Sequence, residues 1–178
     1  RHILDFRVPF IEQMLLAAKE RIDFFRIGDD YGGQENLLLS PEIWRKRIKP
    51  GLKSMVDIAK KHKAYCYQHS CGSIRPLIPD FIDIGVDVLD PLQITAKDMN
   101  PAELKKEFGF KICFSGGVDE QNLLRTGSID DVRNYVKRLL DIMAPGGGFF
   151  IGPTHNFQVD IPTSNIIAMY EAAKEWHY

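Results

Sequence analysis

The sequence predicts an α/β fold built on a parallel sheet, and three observations carry that prediction. Five short β-rich runs alternate strictly with helical runs, each strand followed by a helix. No two strands follow one another through hairpin turn chemistry. Every strand run ends in polar or turn residues (GDDYGG, QHSCG, LDPLQ, SGGVD and GPTHN), whereas the opposite ends read as plain connections. In parallel α/β folds the ligand site lies at the carboxyl ends of the strands. Five strands cannot close an eight-stranded barrel, so the pattern fits an open doubly wound sheet or five-eighths of a barrel. The chain has neither a Gly-x-Gly-x-x-Gly nor a phosphate-loop lysine motif, which weighs against the nucleotide-binding form of the open sheet.

Taken in order, Pro9 to Glu20 has apolar residues at helical spacing. Ile22 to Ile27 is a β-rich run that stops at Gly28-Asp29-Asp30-Tyr31. Ser40 before Pro41 signals an N-cap and first turn, opening a long helix to about His62 that Pro50 should kink. Ala64 to His69 is the second strand. Ile74 to Gly85 reads as helix despite Pro76 and Pro79, and Val86 to Leu89 as the third strand. Asn100-Pro101-Ala102-Glu103 combines a cap, a first-turn proline and a capping-box glutamate, giving a helix to about Phe108. Lys111 to Ser115 is the fourth strand. Ser128 to Asp131 repeats the capping-box logic before a helix from Val132 to Met143. Gly146-Gly147-Gly148 then turns the chain into the fifth strand, Phe149 to Ile151, and a last helix covers about Ser164 to Trp176.

The stretch Gln68-His69-Ser70-Cys71-Gly72 concentrates the chemistry. Side chains at i and i+2 of a strand share a face, so His69 and Cys71 should project together at a strand end. Imidazole and thiolate suit zinc, and a catalytic zinc needs three protein ligands with one position left open. The alternative for the pair is ordinary: free cysteine is among the most buried residue types, and a lone histidine is often a hydrogen-bonded core residue.

Composition excludes several classes. The 178 residues are 44% hydrophobic and 26% charged, enough for one sizeable core in a single domain. A net charge of −1 gives no electrostatic case for nucleic acid, and the basic runs Arg45-Lys46-Arg47 and Lys60-Lys61-His62-Lys63 fall on helices as solvated faces. Three cysteines without paired spacing fit a reducing cytoplasm better than a disulfide framework. The apolar runs are short and interrupted by charge, so neither a signal peptide nor a membrane span is expected. The chain opens on Arg1 directly in helix-like sequence, and an N-terminal part is expected to precede it.

Together GDDYGGQENLLLSPEIW, QHSCGSIRPLIPDFIDIGVDVLDPLQ, FSGGVDEQNL and GPTHNFQVDIPTSNIIAMYEA resemble the C-terminal half of the uroporphyrinogen decarboxylase superfamily, which includes zinc methyltransferases serving corrinoid proteins. The resemblance implies a (β/α)8 barrel of the TIM type, this chain supplying about the last five units. It implies zinc held by His69, Cys71 and, where the methyltransferases carry a later cysteine, His155. On that reading a corrinoid protein and a small methyl donor or acceptor are the partners. Asp29 or Asp30 would orient His69 or act as a further ligand, and Asp90, Gln93 and Asp119 would line the cavity. Each carboxylate has a plainer role as a turn former. The alternative is a metal-free decarboxylase of porphyrinogen acetate groups with His155 contacting substrate. A third reading is a corrinoid-binding or aromatic-ligand-binding protein walled by Tyr31, Tyr67 and Phe157. Unpaired edges of an incomplete barrel would favour a homodimer.

Overall fold

A computed structural model describes residues 2–177. Five parallel strands lie in the order β1-β2-β3-β4-β5: β1 Phe24–Gly28, β2 Tyr65–His69, β3 Val88–Leu92, β4 Cys113–Val118 and β5 Phe149–Pro153. Eight helices alternate with them among the described residues: α1 His2–Ala18, α2 Pro41–Arg47, α3 Lys49–Lys61, α4 Ile78–Ile84, α5 Pro101–Phe108, α6 Leu123–Thr126, α7 Ile129–Met143 and α8 Thr163–Glu175. A 3-10 turn, Arg75–Leu77, precedes α4. This is an α/β fold consistent with part of a TIM-type barrel. Among the described residues, no helix is long and apolar enough to cross a membrane.

The sheet has two different faces. Ile27, Cys66, Gln68, Leu89 and Phe114 point toward the helices and are buried. The alternate residues Phe24, Arg26, Tyr65, Tyr67, His69, Val88, Asp90, Cys113, Ser115 and Phe150 share the concave face, as the strand registers require. The rings of Phe24 on one outer strand and Phe150 on the other meet edge to face at 5.9 Å, so the sheet curls until its two edges approach. On the helix side, Trp44, Phe81 and Tyr31 form an aromatic nest, with Trp44 and Phe81 fully enclosed and 5.5 Å apart. Val132, Val136, Leu139, Leu140 and Met143 form the buried stripe of α7.

Most elements fall where the sequence places them, with instructive shifts. Strands β1, β3, β4 and β5 reach beyond their expected C-terminal ends, because they continue through Gly28, Pro91, Gly116-Gly117 and Gly152-Pro153 instead of stopping there. Helix α1 starts at His2 and runs through Pro9, carried by packing of Leu4 against Gly51 and burial of Ile11 and Leu15. Pro50 divides the expected long helix into α2 and α3 at Ile48 rather than kinking it, since proline belongs in the first turn of a new helix. The same rule splits Ile74 to Gly85 into the 3-10 turn and α4.

Local caps behave as their chemistry dictates. The Ser40 hydroxyl accepts the Ile43 N–H, and the Asn100 side chain accepts the N–H groups of Ala102 and Glu103. The Glu103 carboxylate does not close a capping box but takes Arg75 instead. Ser128 and Asp131 do form the reciprocal box. The Ser128 hydroxyl and backbone N–H hold the Asp131 carboxyl below its usual range. A lowered native value stabilises the fold above the unfolded carboxylate value, about pH 4, and the gain is lost as pH falls through the lower one. The melting-temperature gap between wild type and Asp131→Asn should therefore be full at about pH 6 and close toward about pH 2. A gap independent of pH would contradict it.

Candidate metal centre

The concave face carries its polar groups near the C-terminal rim. Strand β1 ends in Gly28 opposite His69 at the end of β2, and the next residues of each chain segment, Asp29-Asp30 and Ser70-Cys71, face each other across the rim. The Cys71 backbone N–H donates to Asp30 Oδ1 at 2.8 Å, the Asp29 N–H donates to the His69 carbonyl, and the Tyr31 N–H donates to the Ser70 hydroxyl. Two loops are thereby stitched together. Gly72 permits the closeness: it has φ +89°, and a Cβ there would lie 2.4 Å from the backbone carbonyl atoms of Gly32.

This stitching brings Asp30, His69 and Cys71 into one group whose ligand atoms all lie within 4.8 Å of one another. His69 Nε2 is 3.6 Å from Cys71 Sγ and 3.5 Å from Asp30 Oδ1. A tetrahedral zinc, with Zn–N and Zn–O of about 2.0–2.1 Å and Zn–S of about 2.3 Å, sets its ligand atoms about 3.3–3.6 Å apart; both separations from His69 match that spacing, and the Asp30 and Cys71 ligand atoms lie within 4.8 Å of each other. Burial, then the nearby Asp30 and Asp90 carboxylates, push the Cys71 thiol up to about 11.

The other nitrogen of His69 is held from the sheet. Nδ1 lies 2.9 Å from Asp90 Oδ2 and 2.7 Å from Arg26 Nη2, which is also 3.2 Å from Asp90 Oδ2. Burial alone would raise the Asp90 carboxyl, but hydrogen bonds from His69, Arg26 and Tyr67 outweigh it and hold the group below its ordinary range. The Tyr67 hydroxyl donates to Asp90 at 3.1 Å, with the Ser115 hydroxyl on its other side. These groups line a cavity of about 380 Å³ together with Pro91, Gly152, Thr154, His155 and Asn156.

The structure sorts the residues expected from sequence. His69, Cys71 and Asp30 come together. His155 is exposed just after β5 and opens on the same cavity as His69, but it does not join the cluster of ligand atoms, whose third member is Asp30. Asp29 is turned away toward Arg7 at 4.0 Å. Asp90 does line the cavity and supports His69. Tyr31 does not wall the cavity: it is buried between Trp44 and Phe81, where desolvation drives its phenol upward. Gln93 is buried and spends its Oε1 on the Gly72 N–H at 2.7 Å, a structural task. Asp119 accepts the N–H groups of Gln121 and Asn122 and borders a different cavity between α6 and α7. Arg26 was not anticipated from sequence. A charge in the middle of the run IDFFRI was its visible sign, since alternation puts it on the His69 face once the two strands are in register.

A protein-family model described as uroporphyrinogen decarboxylase (URO-D) matches residues 10–176. Among solved structures, a methyltransferase from Methanosarcina mazei superimposes with a TM-score of 0.71 at 22% sequence identity, over 94% of this chain and 45% of that one. The chain thus spans less than half the length of that methyltransferase. No curated protein matches the sequence.

Proposed function

The chain belongs to the uroporphyrinogen decarboxylase family, and from that footing we propose that it forms the zinc-binding part of a methyltransferase that moves a methyl group between a small molecule and a corrinoid on a partner protein. The carrying observation is the Asp30, His69 and Cys71 group, whose spacing suits a tetrahedral ion with one position left over. Zinc bound there supplies Lewis acidity, which lowers the pKa of an acceptor thiol or makes a methoxy oxygen a better leaving group. The protein's own groups do the rest. Asp90 orients the His69 ring through Nδ1, as carboxylate partners of metal-bound histidines do. Tyr67, Ser115 and His155 border the cavity beside the ligand group and offer hydroxyl and imidazole contacts to a small polar substrate.

A decarboxylase is the second reading, supported by His155 and Arg26 lining the same cavity as candidate contacts for an acidic substrate. Elemental analysis separates the two. Full-length protein purified without chelator is expected to hold about one zinc per chain. Absence of zinc, together with conversion of uroporphyrinogen to coproporphyrinogen, would move the assignment to the decarboxylase.

A further inference from the structure

Tyr67 and Ser115 stand on strands that do not pair with each other. Strand β3 lies between β2 and β4, so the Tyr67 side chain crosses it for its hydroxyl to reach both Asp90 on β3 and Ser115 on β4. A phenol has one proton, and an ionised carboxylate only accepts. The proton therefore goes to Asp90 Oδ1, 3.1 Å away, and the Ser115 hydroxyl donates in turn to the phenol oxygen. The two oxygens of Asp90 thus have separate tasks: Oδ1 is held by Tyr67, while Oδ2 lies 2.9 Å from His69 Nδ1 and 3.2 Å from Arg26 Nη2.

Strand register sets Asp90 beside His69, but it leaves the carboxylate free to rotate about its last bond. A guanidinium fork can draw both oxygens of a carboxylate to itself, and the Arg26 side chain is 58% exposed and able to follow. The bond from Tyr67 opposes that turn. We propose that Tyr67, braced by Ser115, is a positioning residue that locks the Asp90 carboxylate with Oδ2 against His69, and so keeps the ring aimed with Nε2 toward Asp30 and Cys71. This rests on the zinc reading above. Oδ2 is the point about which His69 and Arg26 are both arranged, whichever ring nitrogen carries the proton. The Tyr67 ring packs edge to face on Phe24 at 6.2 Å, so a side chain fixed at its ring delivers the hydroxyl.

The test uses full-length protein with Zn²⁺ alone as the probe, its affinity measured against a competing chelator, beside crystal structures of the metal-free proteins. Tyr67→Phe keeps the ring and its Phe24 contact and removes only the hydroxyl. Zinc affinity should fall roughly three- to tenfold, the weight of one hydrogen bond, and less than the about 10–100-fold that follows loss of a direct partner of a metal ligand. Ser115→Ala should lower it in the same direction, whereas Ser115→Thr keeps the hydroxyl and should keep wild-type affinity. In an Asp90→Ala background Tyr67→Phe should change zinc affinity by less than about twofold, because the group through which it acts is gone. In metal-free Tyr67→Phe, Asp90 Oδ2 should have turned away from His69. Unchanged zinc affinity in Tyr67→Phe overturns the inference, and so does an equal loss with and without Asp90. Should Asp90→Ala fail to fold, the Tyr67→Phe structure decides, and an Oδ2 still 2.9 Å from Nδ1 overturns it. A wild type that takes up no zinc marks the zinc reading as the error and withdraws the effect on metal affinity; the brace then stands if the carboxylate turns in Tyr67→Phe and falls if it does not.

Discussion

Cys71→Ser is expected to reduce zinc affinity by more than about a hundredfold, since loss of a mere outer hydrogen-bond partner of a metal ligand costs about 10–100-fold, and to abolish methyl transfer in the full-length protein. The substitution changes one atom in a half-buried position, so its structural cost is small and the loss can be read as loss of a ligand. His69→Ala should behave alike. The third ligand is decided by a pair of variants: Asp30→Ala should lose the metal, while His155→Ala should keep it, because only Asp30 shares the 4.8 Å group. Zinc retained in Asp30→Ala and lost in His155→Ala would restore the ligand set that the sequence resemblance implies. Full zinc content and full activity in Cys71→Ser would remove the metal mechanism altogether.

Gly72→Ala should be the most damaging substitution that alters no ligand. Its φ of +89° is costly for any residue with a Cβ, and the new methyl would meet Gly32 C and O at 2.4 Å and Gly33 O at 2.7 Å. These are backbone atoms and cannot swing aside, so the two loops must part. Parting them threatens three hydrogen bonds: Ser73 N–H to Gly33 O, Gly72 N–H to Gln93 and Cys71 N–H to Asp30. At about 1 kcal/mol per hydrogen bond, with about 1–2 kcal/mol for the backbone, a loss of about 4–5 kcal/mol is expected in urea unfolding. Zinc affinity should fall with it, because Asp30 and Cys71 are held together by one of those bonds. An alanine variant with wild-type stability and zinc content would show that the loops have slack.

The fold was legible because the alternation of strand and helix and the polar strand ends depend on local pattern, which a single sequence displays. Strand ends were less so: glycine and proline usually terminate a strand, yet here β4 continues through Gly116-Gly117 and β3 through Pro91. The His69 and Cys71 pair was visible from their spacing. Asp30 could be named but not ranked above His155, since that choice depends on how two loops meet. Tyr31, Gln93 and Asp119 looked like cavity residues because they follow strands, but a position after a strand does not tell whether a side chain turns to the concave face, the core or its own backbone. Arg26 became meaningful only with the β1 to β2 register, which sets it beside His69.

The Phe24 and Phe150 ring contact bears on the order of assembly. Each strand pairs with its neighbour in sequence, so the sheet can be laid down one crossover at a time, with modest loop-closure entropy at each step. A contact between the two outermost strands is of another kind: Phe24 and Phe150 are far apart in the chain, so forming it before the intervening strand pairs would close the longest loop in the sheet. The curl of the sheet is therefore expected to set after the individual strand pairs, and truncating Phe150 to alanine should speed unfolding more than it slows refolding.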